Sequence, residues 1–266
     1  MRVLSFIAMV GIAGCANGVK AGGANAGDAY PDVASFCQGY AEAECSSAVV
    51  SACGVKDPAS CVSTSSAACL ATQPQGTTYV ADDAQKCIQL AEATYASTTL
   101  AADQMKELAK ACGTQVFSGP GQARAPCSSD YDCSSKDGLA CVVPFGQTAG
   151  KCYAPTTVQP GGACADEADV CTDGWFCEPK TRTCTAAANL GQSCGDGYMP
   201  CAAGLSCSGG LFATCSKKLD DGHPCTLADD CAGGLCDKAA SQAEGTCASR
   251  ITLTPLDSAC ASFEGK

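Results

Sequence analysis

The chain has 266 residues, of which 25 are cysteine and only 6% are Phe, Trp or Tyr. That usage marks a disulfide scaffold in an oxidising compartment, where covalent staples supply the stability a small apolar core cannot. A net charge of −11 with no basic run argues against nucleic acid as a partner, and the lack of any C-x-x-C pair removes the usual spacing of zinc ribbons, thioredoxin-like centres and haem attachment.

At the N-terminus Arg2 is a short positive region, and Val3 to Ala13 is an apolar run too short to span a bilayer. Ile12-Ala13-Gly14-Cys15 follows, and this tetrapeptide resembles the bacterial lipobox. The resemblance implies a signal peptide over residues 1–14, cleavage after Gly14 and a lipid anchor on Cys15. Ala16 in the next position implies, by similarity to enterobacterial sorting, the outer membrane. Setting Cys15 aside leaves 24 cysteines, an even number, as a fully oxidised framework requires. Residues 15–30 are small and rich in Gly and Asn, and read as a flexible tether.

Residues 31–117 are Ala-rich and read as a helical bundle. Pro31 suits a first helical turn and Gly54 a stop after Cys53. Asp57-Pro58 reads as an N-cap and first position of a second helix running toward Leu70, and Gln73-Pro74-Gln75-Gly76 as a breaker. Val80, Ala84, Cys87, Ile88, Ala91 and Tyr95 mark a third helical stripe. A fourth follows Thr99, through Met105, Leu108, Ala109, Cys112 and Val116. These stripes carry little bulk, so the bundle needs cross-links. Cysteines 37, 45, 53, 61 and 69 recur every eight residues, a spacing that drifts by about 80° per step on one helix and so staples neighbouring helices.

Residues 118–126 form a Gly/Pro-rich linker into residues 127–248, where a four-cysteine unit is written four times. The copies are Cys127, Cys133, Cys141, Cys152; Cys164, Cys171, Cys177, Cys184; Cys194, Cys201, Cys207, Cys215; and Cys225, Cys231, Cys236, Cys247. Two disulfides per copy, each closing a loop of about 15 residues, are worth roughly 3 kcal/mol apiece in the chain-entropy model. Gly138, Gly174, Gly204 and Gly234 all stand just before a third cysteine, where a turn with positive φ is expected. In the tail, residues 249–266, Cys260 is expected to return to the helical segment, whose seven cysteines are odd in number.

With Asp229-Asp230-Cys231 and Gly234-Leu235-Cys236, the fourth copy resembles the Dickkopf N-terminal cysteine-rich domain and colipase-like fingers, and the first copy is similar. The second and third depart from the fourth in spacing. The resemblance implies first-to-third and second-to-fourth pairing: Cys127–Cys141, Cys133–Cys152, Cys164–Cys177, Cys171–Cys184, Cys194–Cys207, Cys201–Cys215, Cys225–Cys236 and Cys231–Cys247. The whole chain also looks like cysteine-rich lipoproteins of myxobacteria, with Val116-Phe117-Ser118-Gly119 at the step into the repeats. Cysteine spacing speaks to architecture, so receptor binding by animal Dickkopf proteins is not carried over.

Three chemistries compete with a purely structural reading. Gly191-Gln192-Ser193-Cys194-Gly195 matches G-x-S-x-G, and Asp220 or Asp221 with His223 completes a hydrolase order. That motif needs a strained strand-to-helix elbow on a large sheet, which this region cannot build. Asp130, Asp132 and Asp137, and Asp166, Glu167 and Asp169, are acidic clusters without EF-hand order. Lys180-Thr181-Arg182-Thr183 and Lys217-Lys218 offer basic residues to a trypsin-like protease on disulfide-framed loops. The expected molecule is a small disulfide-rich, non-enzymatic protein without cofactor or metal: a stapled helical bundle, then four fingers with little regular structure. It would meet the membrane through its lipid anchor at Cys15 and act by protein–protein or cell-surface interaction, with inhibition of an extracellular protease as the alternative.

Overall fold

A computed structural model describes residues 29–144, 147–194, 199–208, 213–238, 242–255 and residue 260. The expected signal peptide, Cys15, nearly all of the tether and the end of the tail lie outside the described residues. Twelve disulfides use every cysteine of the sequence other than Cys15.

The first helix, α1 (Val33–Glu44), starts two residues after Pro31, which lies outside it ahead of the cap. Asp32 caps it: its carboxylate accepts the Ser35 N–H at 2.7 Å, while the Asp32 N–H donates to the Ser35 hydroxyl. The stretch to Cys53 is also not one helix. The chain breaks at Cys45 and Ser46, and Ser46 caps a second helix, α2 (Ser47–Cys53), by accepting the Val49 N–H. The Ser46 hydroxyl donates in turn to the Tyr95 carbonyl at 2.5 Å, which fixes the break against the bundle. Gly54, at φ 66°, ends α2, and Asp57-Pro58 opens α3 (Pro58–Ala71), both where the sequence places them.

Strand β1 (Thr78–Tyr79) leads into α4 (Ala81–Tyr95), whose stripe of Ala84, Cys87, Ile88, Ala91 and Tyr95 is buried. Thr99 does not start a helix. It opens β2 (Thr99–Ala101), and α5 (Ala102–Lys110) begins only after it. Leu108 is buried on α5 and Ala109 is exposed; a wider π-type turn follows at Ala111–Gln115, with Cys112 half-buried in it and Val116 buried after it. Strand β3 (Phe117–Ser118) then pairs antiparallel with β1.

The eight-residue cysteine ladder has a simple geometric outcome. Antiparallel α1 and α3 are stapled by nested bridges, Cys37–Cys69 outside Cys45–Cys61, with Cys53 left at the turn. Cys53 bonds Cys260, and Cys87–Cys112 ties α4 to the turn after α5. Two small cores fill the bundle. One holds Phe36, Ile88, Val116 and Phe117, with the Phe36 and Phe117 rings edge to face at 5.9 Å; the other gathers Val49, Tyr95, Leu100, Leu108 and Leu253.

The finger region is made of short strands. β4 (Pro126–Cys127), β5 (Ala140–Val142) and β6 (Gly150–Tyr153) belong to the first finger. β7 (Thr156–Val158) leads into the second, with β8 (Asp169–Cys171), β9 (Trp175–Cys177) and β10 (Cys184–Ala186). The third has β11 (Leu205–Ser208) and β12 (Thr214–Lys217). The fourth has β13 (Pro224–Cys225), β14 (Leu235–Asp237) and β15 (Gly245–Ala248).

Both ends of this array sit on the helical unit. At the start, Gly119 donates its N–H to the Cys133 carbonyl, and Tyr131 packs on the Phe36 core. At the finish, β16 (Arg250–Thr252) pairs antiparallel with β2, Leu253 enters the second core, and Cys260 reaches Cys53.

Candidate functional site

Each finger is built on one backbone frame. The strands bearing its third and fourth cysteines form a hairpin that sets these two cysteines opposite each other: Cys141 and Cys152, Cys177 and Cys184, Cys207 and Cys215, Cys236 and Cys247. They do not bond each other. The third reaches the first and the fourth reaches the second, giving Cys127–Cys141, Cys133–Cys152, Cys164–Cys177, Cys171–Cys184, Cys194–Cys207, Cys201–Cys215, Cys225–Cys236 and Cys231–Cys247. These are the pairs that the finger resemblance implies, in the second and third copies as well.

Two backbone features recur with the sulfurs. The residue six places before the first cysteine pairs in parallel with the second cysteine: Gly121 with Cys133, Val158 with Cys171, Ala188 with Cys201, Leu219 with Cys231. The residue three places before the first cysteine has positive φ: Arg124, Gly161, Gly191 and Gly222, at 70°, 74°, 78° and 91°. Its N–H donates to the carbonyl of the fourth cysteine, and that cysteine's N–H donates to the carbonyl of the following residue. The turn glycines Gly138, Gly174, Gly204 and Gly234 also have positive φ, between 72° and 80°. The features that all four fingers share are therefore two bridges and a handful of main-chain bonds.

The residues singled out for chemistry are mostly absorbed by this frame. His223 is the residue after the positive-φ Gly222: its carbonyl accepts the Cys247 N–H at 2.7 Å, and its Nδ1 lies 3.1 Å from the Asp220 carbonyl. Ser193 belongs to the third finger, bridged to Thr214 beside the Cys194–Cys207 disulfide, and Gly195 lies outside the described residues. Among the described residues no strand-to-helix elbow surrounds Ser193, whose finger shows the short strands β11 and β12.

The acidic clusters serve as local caps. Asp132 accepts the N–H groups of Ser128 and Ser129 at 2.7 and 2.9 Å, bonds that hold its carboxyl below the usual range. Asp130 accepts the Cys141 N–H, Asp137 the Ser134 hydroxyl and Asp169 the Asp166 N–H. Glu167 takes the Tyr153 hydroxyl and Lys151, which lower its pKa in that order. Sulfur triads such as Cys127, Cys133 and Cys141 lie within 4.8 Å of one another, but as disulfides they offer no thiolate for a metal.

The basic loops are ordered in an unexpected way. Arg182 has φ 51°, its N–H donates to the Glu178 carbonyl at 2.8 Å and its own carbonyl accepts the Cys164 N–H at 2.9 Å. The Glu178 carboxylate accepts the Thr181 N–H, completing the turn. Lys217 lies in β12 opposite Leu205, and Lys218 is paired with Asp229 at 2.9 Å. The Arg182 segment is therefore a hydrogen-bonded turn and not an extended backbone. No signal in the sequence announces this, because the main chain does the bonding.

No protein-family model, curated protein or solved structure matches the chain. Among the described residues no helix is long and apolar enough to cross a membrane. Twelve disulfides fit an extracytoplasmic protein.

Proposed function

We propose that the chain is a lipid-anchored protein of the cell envelope, non-enzymatic, that makes protein–protein or cell-surface contacts through its finger array. The observation that carries the reading is the contrast between a constant frame and changing loops. Four fingers repeat the same bridges, the same parallel pairing and the same positive-φ residue, while the segments between third and fourth cysteines differ in length and sequence. A frame whose shared features are disulfides and main-chain bonds leaves the residues between third and fourth cysteines free to vary, which suits them to recognition. Anchoring is supported by arithmetic: Cys15 is the one cysteine that the twelve bridges leave over, and it stands in the lipobox-like run with Ala16 after it. The outer membrane follows from that similarity.

The alternative, inhibition of an extracellular protease, gains nothing from Arg182. A substrate-like loop adds to a protease as an extended strand, and Arg182 is a turn residue with both main-chain groups engaged. The test is capture by the oxidised ectodomain, residues 16–266, from envelope and secreted fractions of the source cell, beside a reduced and alkylated copy. A partner held only by the oxidised form supports recognition by folded loops. Equal capture by both forms, or none, contradicts it, and tight inhibition of a protease that is lost in Arg182→Ala would establish the alternative.

A further inference from the structure

Every bridged cysteine is buried or half-buried except one: Cys207, the third cysteine of the third finger, is exposed. It lies in β11, where Leu205 and Ser206 are half-buried while Cys207 and Ser208 are exposed. The other third cysteines, Cys141, Cys177 and Cys236, are half-buried, and so are the residues that follow them, Val142, Glu178 and Asp237. Ser208 holds the equivalent place in the third finger, with its hydroxyl 2.9 Å from that of Ser216 across the hairpin, and this small side chain gives Cys207 little cover.

The other end of the same bridge is enclosed. Cys194 is only 3% exposed, and its Sγ lies within 4.8 Å of the Sγ atoms of Cys201 and Cys215, which are bonded to each other. The Cys194–Cys207 bridge therefore has one sulfur-bearing residue open to solvent and the other beside a second disulfide. The second and fourth fingers gather their first, second and fourth cysteines in the same way, but their third cysteines are not exposed. We propose that Cys194–Cys207 is the thiol-exchange site of the array, which takes a low-molecular-weight thiol onto Cys207 ahead of every other bridge.

In the first step an outside thiolate forms a bond to the Cys207 sulfur as the Cys194–Cys207 bond breaks, and the electron pair leaves on Cys194 as a thiolate. One disulfide replaces another, so this step consumes no oxidant or reductant. A second thiolate that attacks the added sulfur releases the low-molecular-weight disulfide and leaves Cys207 as a thiolate, so the finger is then reduced by two electrons. Before that, the Cys194 thiolate stands beside the Cys201–Cys215 bridge, and exchange with it frees Cys201 or Cys215 in its place. Exchange rates depend on access to the attacked sulfur as well as on thiolate content, and access singles out Cys207.

The test treats the oxidised ectodomain, residues 16–266, with a limiting amount of reduced glutathione at about pH 8, where part of a free thiol is ionised. Samples are quenched at intervals with N-ethylmaleimide and mapped by peptide mass spectrometry. Glutathione should appear on Cys207, and the maleimide on Cys194, Cys201 or Cys215, at least about tenfold ahead of any cysteine outside the third finger. Glutathione first on another cysteine, even labelling of all fingers, or no labelling overturns the proposal. The double variant Cys194→Ser, Cys207→Ser should lose the fast labelling and react at least about tenfold more slowly, and an unchanged rate overturns the proposal. Should that variant not fold, the wild-type map decides alone.

Discussion

Arg124 stands in the first finger where Gly222 stands in the fourth: both have positive φ, and each donates its N–H at 2.8 Å to the carbonyl of its finger's fourth cysteine, Cys152 or Cys247. The position demands a left-handed backbone whatever residue fills it, and arginine accepts the strain that glycine avoids. Nothing lies within 4 Å of a Cβ built on Gly161, Gly191 or Gly222, so a substitution there meets only the backbone term.

Gly222→Ala should therefore destabilise the fourth finger by about 1 kcal/mol. Arg124→Ala, where the strain is already present, should stay within about 0.5 kcal/mol of wild type. Thermal or denaturant unfolding of the two variants compares them directly, and equal losses would show that the frame does not impose the conformation.

The clasp between Cys53 and Cys260 gives a second expectation. Their bridge joins residues 207 apart and closes the end of the array onto the helical unit, next to the β2–β16 pairing. Replacing both cysteines by serine should cost about 2–5 kcal/mol. It should also open the chain around Leu253 to proteolysis while the eight finger bridges stay intact, as peptide mapping would show.

On the acid side stability should fall through carboxylates that hydrogen bonds hold low. Asp32, held low by Ser35, Asp132, held low by Ser128, and Glu178, held low by Thr181, have folded pKa values below their unfolded ones. Their contribution is present above the unfolded values and is lost as pH falls through the folded ones. The midpoint temperature should therefore drop below about pH 4, and Asp132→Asn should drop less steeply.

His223→Ala should be nearly silent, changing stability by no more than about 0.5 kcal/mol, since the frame uses the carbonyl of residue 223 and that survives. A larger loss in unfolding experiments would mean the imidazole contact with Asp220 matters to the turn.

Much of this molecule can be read from side chains. Gly54, Asp57-Pro58, the α4 stripe and the glycines before each third cysteine all carry their structural reason in the residue type. The odd cysteine count of the helical segment likewise points to Cys260. What escapes such reading is held by main chain. The break at Cys45-Ser46 interrupts an Ala- and Val-rich run that would continue a helix, and it is fixed by the Ser46 hydroxyl, which accepts the Val49 N–H and donates to the distant Tyr95 carbonyl. β2 and β16 are three residues each and pair across the whole chain, so neither shows a local period. Arg124 hides the positive-φ position because it breaks the glycine pattern that the other three fingers keep.

Binding by a loop-blank ectodomain tests the division between frame and loops most directly. In that protein every cysteine from Cys37 onward, the positive-φ residues and the paired strands are kept, while the residues between third and fourth cysteines outside the strands become Gly and Ser. If the loops carry recognition, it should keep the wild-type disulfide map yet bind the captured envelope partner at least about tenfold more weakly, a loss of about 1.4 kcal/mol. Unchanged affinity with an unchanged disulfide map would contradict the display reading and move recognition to the helical unit or to the frame itself.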